Sequence, residues 1–469
     1  MTQYYLERFD VTERQLDTLI GTALSNGGDY SDLYFEYTTY FNLMLKDGIV
    51  SSGGFHTDYG VGIRVLKGEK TGYAYSENTA MNDMIKAAKA ASVIALGAIG
   101  KRSYIKVADR RLDLYPDIQD WRQADISGFL PFLKNLEKAV YEKDSRIIKV
   151  IARLSDSVSD IMMYNSLGEL TCDSRPMGSI TVTAVFQHNG KTENKTASRS
   201  FRKGPELISE DIIRELADDI VRGIDDRFLA QRPKGGQMKV VMGAGASGIL
   251  LHEAMGHAFE ADFVRKGQSI FEGKMGQRIC PEGINIVDDG TLLWNRGAGN
   301  YDDEGVPAEK TYMVTDGILT SYLHDRISAS WSGVAPTGNG RRESFRYNPI
   351  PRMRATYMEG GSWKAEDIIA SVDKGIYVDE FSNGQVKIGE GDFTFFVKSG
   401  YLIEDGHFTM PVKDINIIGN GPQALKDIEA VADDPKIDNG TWTCGKEQSV
   451  PVSCGMPTVL VGSLIVGGE

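Results

Sequence analysis

The stretch Met238–Asp262, MKVVMGAGASGILLHEAMGHAFEAD, gathers residues whose types could do chemistry. His252, Glu253 and His257 set two imidazoles around one carboxylate. Zinc accepts neutral imidazole nitrogen, and a carboxylate beside a ligand can take a proton from a water that the ion activates. The spacing departs from the familiar H-E-x-x-H, whose histidines, four apart, lie about 40° apart around a helix. Here they are five apart, so a regular helix would separate them by about 140°. Two ligands so placed cannot meet one ion. The residues therefore predict a distortion: a π-bulge that inserts one residue, or a helix that loosens or ends at Gly256 before His257. The plainer alternative is a pair of core or surface histidines, but burying them with a glutamate on an apolar helix costs desolvation unless partners offset it.

A catalytic zinc takes three protein ligands and keeps one position open. Glu260, Asp262, Cys280, His324, Cys444 and Cys454 are all candidates for the third, and spacing alone does not choose among them. A thiolate suits zinc, although a lone cysteine is more often buried packing. Gly243, Gly245 and Gly248 also form a G-x-G-x-x-G between a strand pattern and a helix pattern, the context of a dinucleotide site. The histidines behind it have no purpose in that reading, and no second strand ending in an acid follows about 20 residues on. His324, Arg341, Arg342 and Tyr347 are candidates for a second electrophile, each with a plainer surface or packing role. Arg341-Arg342 could grip a peptide carboxylate, yet a solvated loop is the simpler expectation. Asp302, Asp303 and Glu304 read as a polar turn rather than a calcium-like cluster.

These residues need elements to position them. Val11–Leu24 places Leu16, Leu19, Ile20, Ala23 and Leu24 on one helical face. Asp32–Tyr40, Phe41–Gly53 and Tyr59–Ser76 read as strands, and Thr79–Ala98 as a helix. The charged, irregular 101–127 reads as a linker. A second unit follows, with a helix at Phe129–Glu142, strands at Ile147–Ser157, Asp160–Asn165, Thr171–Asp173 and Ser179–Asn189, and a long helix at Ile208–Ala230. From Met238 onward one helix gives way to strands and Asn-Gly, Asp-Gly and Glu-Gly turns, the pattern of hairpins. The expected fold is α+β: helix-and-strand units at 1–100 and 128–235, then a mainly antiparallel β domain at 236–469 carrying one metal-binding helix. Edges of such a domain could hold an extended peptide as an added strand, with little sequence preference.

The 469 residues carry 52 basic and 65 acidic side chains, a net charge of −13. That balance argues against a nucleic-acid coat or a membrane-surface binder. No apolar run is long enough to span a bilayer, and the opening MTQYYLERFD lacks the pattern of a signal peptide. Four cysteines are too few for a disulfide scaffold, which fits a soluble protein of a reducing compartment.

GASGILLHEAMGHAFEAD resembles the metal motif of the TldD/PmbA metalloprotease family, long labelled "modulator of DNA gyrase". DDEGVPA (302–308), PTGNGRRESF (336–345), PRMRATYMEGG (351–361) and CGKEQSVPVSCGMPTVLVGSLIVGG (444–468) agree with it. The resemblance covers the third region almost throughout and the first two more weakly. It implies a TldD-like member, since the motif-less PmbA-like (TldE) members act as partners. It further implies His252, His257 and Cys444 as zinc ligands, Glu253 as general base, and proteolysis of unfolded or short peptides in the cytoplasm. The implied assembly is a heterodimer with a PmbA/TldE-like paralogue, a homodimer being the alternative, with no direct nucleic-acid role. Cys454 falls where the family pattern asks for no cysteine. A catalytically inactive or structural-metal partner subunit is the rival reading.

Overall fold

The computed structural model of the chain describes residues 2–96, 112–116, 118–245, 247–387 and 390–468. The architecture is α+β, with sheets that are mainly antiparallel. Two helices open it, α1 (Thr2–Arg8) and α2 (Glu13–Ala23). α2 begins where Thr12 and Gln15 cap each other reciprocally, and it buries Leu16, Leu19, Ile20 and Ala23, the face its spacing predicts. α1 was not legible in this way, because Tyr5 is its one buried residue.

The aromatic runs become long strands, β1 (Tyr30–Lys46), β2 (Ile49–Lys67) and β3 (Lys70–Ser76). Asp47 and Gly48 both take positive φ between the first two, as a tight type I′ hairpin requires. Helix α3 (Met81–Ser92) follows, then α4 (Phe129–Lys143) and strands β4 (Ile147–Asn165), β5 (Leu170–His188) and β6 (Lys191–Phe201). The two pieces expected at 171–189 are one strand. Pro176 lies beyond Gly178, the last β5 residue that pairs with β6, so its missing N–H interrupts no ladder on that side. Of the expected linker at 101–127, residues 101–111 and 117 lie outside those described, while Leu114 and Tyr115 are buried against Ala298.

All six strands form one antiparallel sheet in the order β3-β2-β1-β4-β5-β6. β1 pairs with β4 from Asp32–Asn165 to Lys46–Ile151, which joins the two N-terminal units through one ladder. Side chains alternate across it. Leu33 and Phe35 pack under α2 and α3, and Leu45 packs near α4. Tyr34, on the other face, meets Phe345 of the third region. The closing helix is two, α5 (Glu210–Val221) and α6 (Ile224–Leu229), because Gly223 at φ 69° ends the first.

The third region opens with β7 (Gly236–Met242) and α7 (Gly248–Ala254). β7 lies between 374–387, in parallel, and 459–467, antiparallel. The sheet continues through 415–420 to 392–404, which pairs back onto 374–387 and closes a five-stranded ring. Leu250, Leu251 and Ala254 of α7 share a core with Val240, Ile376, Phe395 and Ile417 of that ring. A second sheet contains 286–289, 355–358 and 453–456. The hairpin 443–446/448–451 stands apart, turning at Glu447.

Candidate metal centre

Three glycines set the entry to α7. A Cβ on Gly243 would meet the Tyr377 hydroxyl at 2.4 Å, and one on Gly248 would meet the Gly455 backbone at 2.4 Å. Close packing against the protein's own chain accounts for both. The dinucleotide pattern finds no support, since among the described residues β7 is followed by no adjacent parallel strand before residue 374.

The helix does stop short of His257. α7 ends at Ala254, Met255 leaves helical geometry at φ −136°, and Gly256–Phe259 form a 3₁₀ turn. Gly256 sits against Met353, whose sulfur would lie 2.3 Å from an added Cβ. This break cancels the angular offset of the five-residue spacing. The rings of His252 and His257 come to 5.3 Å between centroids, at 78°.

The third member arrives from far along the chain. Cys444 Sγ lies 3.3 Å from His257 Nε2. Donor atoms of His252, His257 and Cys444 all fall within 4.8 Å of one another, and all three residues are buried. Both ring nitrogens of His252 are buried with no hydrogen-bond partner. Buried polar atoms are seldom left so, and each such atom asks for an explanation. Tetrahedral zinc with Zn–N near 2.0 Å and Zn–S near 2.3 Å sets a nitrogen and a sulfur about 3.5 Å apart. The N₂S donor set and its spacing fit that ion. Glu253 is partly exposed, with Oε2 3.9 Å from His257 Nε2, so a carboxylate stands at the side open to solvent.

Glu260 fixes the ring of His257, its Oε2 2.8 Å from Nδ1. Lys446, two residues past Cys444, reaches Glu260 at 3.0 Å, Asp262 at 2.7 Å and the Pro351 carbonyl at 3.1 Å. Arg352 donates to the Cys444 carbonyl at 2.7 Å and stands 3.8 Å from Glu260 Oε1. The hairpin that carries the thiol is thus bolted to the carboxylate that orients the imidazole. Burial disfavours charge at each group, and the neighbours override it. The two imidazoles bring the Cys444 thiol down to about 5. Glu260 lifts His257 to about 10. Lys446 holds Glu260 well below the usual carboxylate range.

The other candidates lie elsewhere. Cys280 packs in the core of the third region, its thiol pushed to about 12 by burial. Cys454 is fully buried, and burial raises it well above the ordinary value. His324 bonds Ser328 at 3.2 Å, and burial lowers it to about 4. Asp262 pairs with Lys446. Arg341 and Arg342 correct the expectation of a solvated loop: each is 5% exposed, in or beside the short strand 340–341. Asp302, Asp303 and Glu304 are also buried, not a surface turn. Asp302 accepts from the backbone of Glu304, Val306 and Gly340, Asp303 pairs with Arg175, and Glu304 pairs with Arg64. Sequence reasoning did not single out Lys446 or Arg352. The C-G-K run put Lys446 two residues from Cys444, which was the available signal.

The chain matches the PmbA/TldA metallopeptidase family in three stretches, domain 1 at 31–95, the central domain at 119–224 and the C-terminal domain at 235–468. A metalloprotease TldD homolog of Haemophilus influenzae is 38% identical over 449 residues, covering 94% of this chain and 93% of the relative. A zinc metalloprotease TldD homolog of Saccharolobus solfataricus is 31% identical over 62% of this chain and 65% of its own. A putative modulator of DNA gyrase from Thermotoga maritima shares the fold at a TM-score of 0.77 and 22% identity, over 97% of this chain and all of its own. TldE from Thermococcus kodakarensis does so at 0.76 and 18%, with the same coverage.

Proposed function

The chain belongs to the PmbA/TldD metallopeptidase family, and we propose that it is a zinc-dependent peptidase of short or unfolded peptides. His252, His257 and Cys444 are the proposed ligands and Glu253 the general base. The buried cluster, with both His252 nitrogens unpartnered, carries the reading. Zinc held there supplies Lewis acidity toward water and the peptide carbonyl. Glu253 takes the proton of the attacking water and returns it to the leaving amine. Glu260 accepts from His257 Nδ1–H, which leaves the Nε2 lone pair directed at the cluster. The zinc homolog's name supports the choice of ion.

The working assembly is a cytoplasmic heterodimer with a motif-less paralogue, a proposal supported by the fold shared with TldE. No described helix is long and apolar enough to cross a membrane. Units at 1–100, 128–235 and 236–469 are the proposed domains. The test is cleavage of an unstructured peptide by chain and paralogue together. A chelator should abolish cleavage and zinc should restore it; cleavage that persists in metal-free protein would sink the reading.

A further inference from the structure

Arg341 reappears in a cavity that the metal centre does not explain. A space of about 240 Å³ lies between the Tyr34 face of the N-terminal sheet and the third region. It is smaller than the ~300–1,000 Å³ pockets that take whole drug-sized ligands, so it suits the end of a chain. Six arginines and three acids line it. The acids are occupied. Asp303 pairs with Arg175 at 2.5 Å and accepts from the Arg342 backbone at 2.8 Å. Glu343 accepts from the Ser449 backbone at 2.6 Å. Glu36 accepts from the Phe345 backbone and the Thr38 hydroxyl, both at 2.7 Å, and burial raises its carboxyl to about 7.

Among the described residues, no carboxylate lies in ion-pair contact with Arg202, Arg296, Arg341 or Arg354. They donate to neutral oxygens instead: Arg202 to the Ala298 and Pro176 carbonyls, Arg296 to the Trp442 carbonyl and the Ser200 and Thr443 hydroxyls, Arg341 to the Met353 and Pro451 carbonyls, and Arg354 to the Gly338, Gly297 and Tyr301 carbonyls. Arg202, Arg341 and Arg354 are 8%, 5% and 3% exposed. A guanidinium has five N–H donors, so Arg202 and Arg341, with two bonds each, have donors to spare, while Arg296 and Arg354, with three each, have fewer. Buried cations without counter-charge are costly, and planar carboxylates are their best-matched partners. The cavity also adjoins the metal centre. Its exposed lining residues Thr443 and Ser449 sit on the hairpin that carries Cys444, and Val450, which also lines it, pairs directly across from Cys444.

We infer that this chamber binds the C-terminal carboxylate of a short peptide lying along the 443–451 hairpin toward the His252–His257–Cys444 cluster. The inference rests on the peptidase reading for the identity of its ligand.

Calorimetric titration of the whole chain, metal-free and zinc-loaded, with an N-acetyl tripeptide acid and its C-terminal amide tests it. One charge-assisted arginine contact should make the acid bind about ten- to a hundred-fold tighter. Arg296→Gln, at a half-buried position, should erase most of that preference. The wild-type acid–amide comparison stands even if this variant misfolds. Equal affinities, or binding of neither, would overturn the chamber. So would sulfate binding tightly while acid and amide bind alike, which would mark an inorganic-anion site. Hydrolysis is scored separately. Acid preference without cleavage, paralogue present, would sink the peptidase reading alone; cleavage without acid preference would sink the chamber alone.

Discussion

Lys446→Met removes the bolt between the Cys444 hairpin and the carboxylate that orients His257. The lysine is 9% exposed, and its ammonium bridges Glu260, fully buried, and Asp262, 5% exposed. Methionine is close in volume, so the substitution tests charge rather than packing. It leaves two buried carboxylates facing one another, Glu260 with His257 and Arg352, and Asp262 with the more distant Lys266 at 3.8 Å. Breaking a buried ion pair from one side costs about 3–5 kcal/mol; two pairs share this cation, but His257, Arg352 and Lys266 remain beside the carboxylates, so the metal-free chain should lose stability near the lower end of that range. Zinc affinity should fall about 10–100-fold, the usual effect of losing a group that orients a ligand. Urea unfolding of metal-free protein reads the first effect, and zinc competition against a calibrated chelator reads the second. A variant within about two-fold of wild-type zinc affinity would refute the claim that Lys446 positions the site.

Four other substitutions have expected outcomes. Glu253→Gln should keep its zinc, read by mass spectrometry, while peptide cleavage falls about 10²–10⁴-fold, the range for a lost general base; near-normal cleavage would reject that role. Gly256→Ala should destabilise by about 1–3 kcal/mol in urea, because its Cβ would collide with buried Met353. Gly54→Ala, with nothing within 4 Å, should stay within about 0.5 kcal/mol. Glu36, raised from 4.5 to about 7 by burial, binds its proton more tightly folded than unfolded. Its contribution is full below pH 4.5 and is lost as pH rises through 7. Glu36→Gln should therefore gain stability relative to wild type across that window, by about 3 kcal/mol at pH 8. Parallel pH–stability curves would contradict this.

Local geometry was legible in the sequence; long-range assembly was not. Histidines five apart cannot share an ion on a regular helix, so a distortion was implied by spacing; that it is an end to the helix before His257 rather than a π-bulge is seen only in the fold. The face of α2 was likewise set by its apolar period. Cys444 lies 187 residues from His257, and no local rule selects it among six candidates; the family resemblance singled it out. Arg341 and Arg342 read as solvated because a charged pair in a glycine-rich loop usually is. Their burial depends on carbonyls of Met353 and Pro451 and on Asp303, which only the folded chain brings near. The ladder of β1 on β4 hid for the same reason, its strands being separated by the whole of 47–146.

The most direct test is metal content by mass spectrometry on freshly purified, metal-replete protein, with His252→Ala, Cys444→Ala and Cys454→Ala beside wild type. The account predicts about one zinc per chain in wild type and Cys454→Ala, and loss of it in His252→Ala and Cys444→Ala. Wild type without zinc, or Cys444→Ala that keeps a full complement, would contradict it.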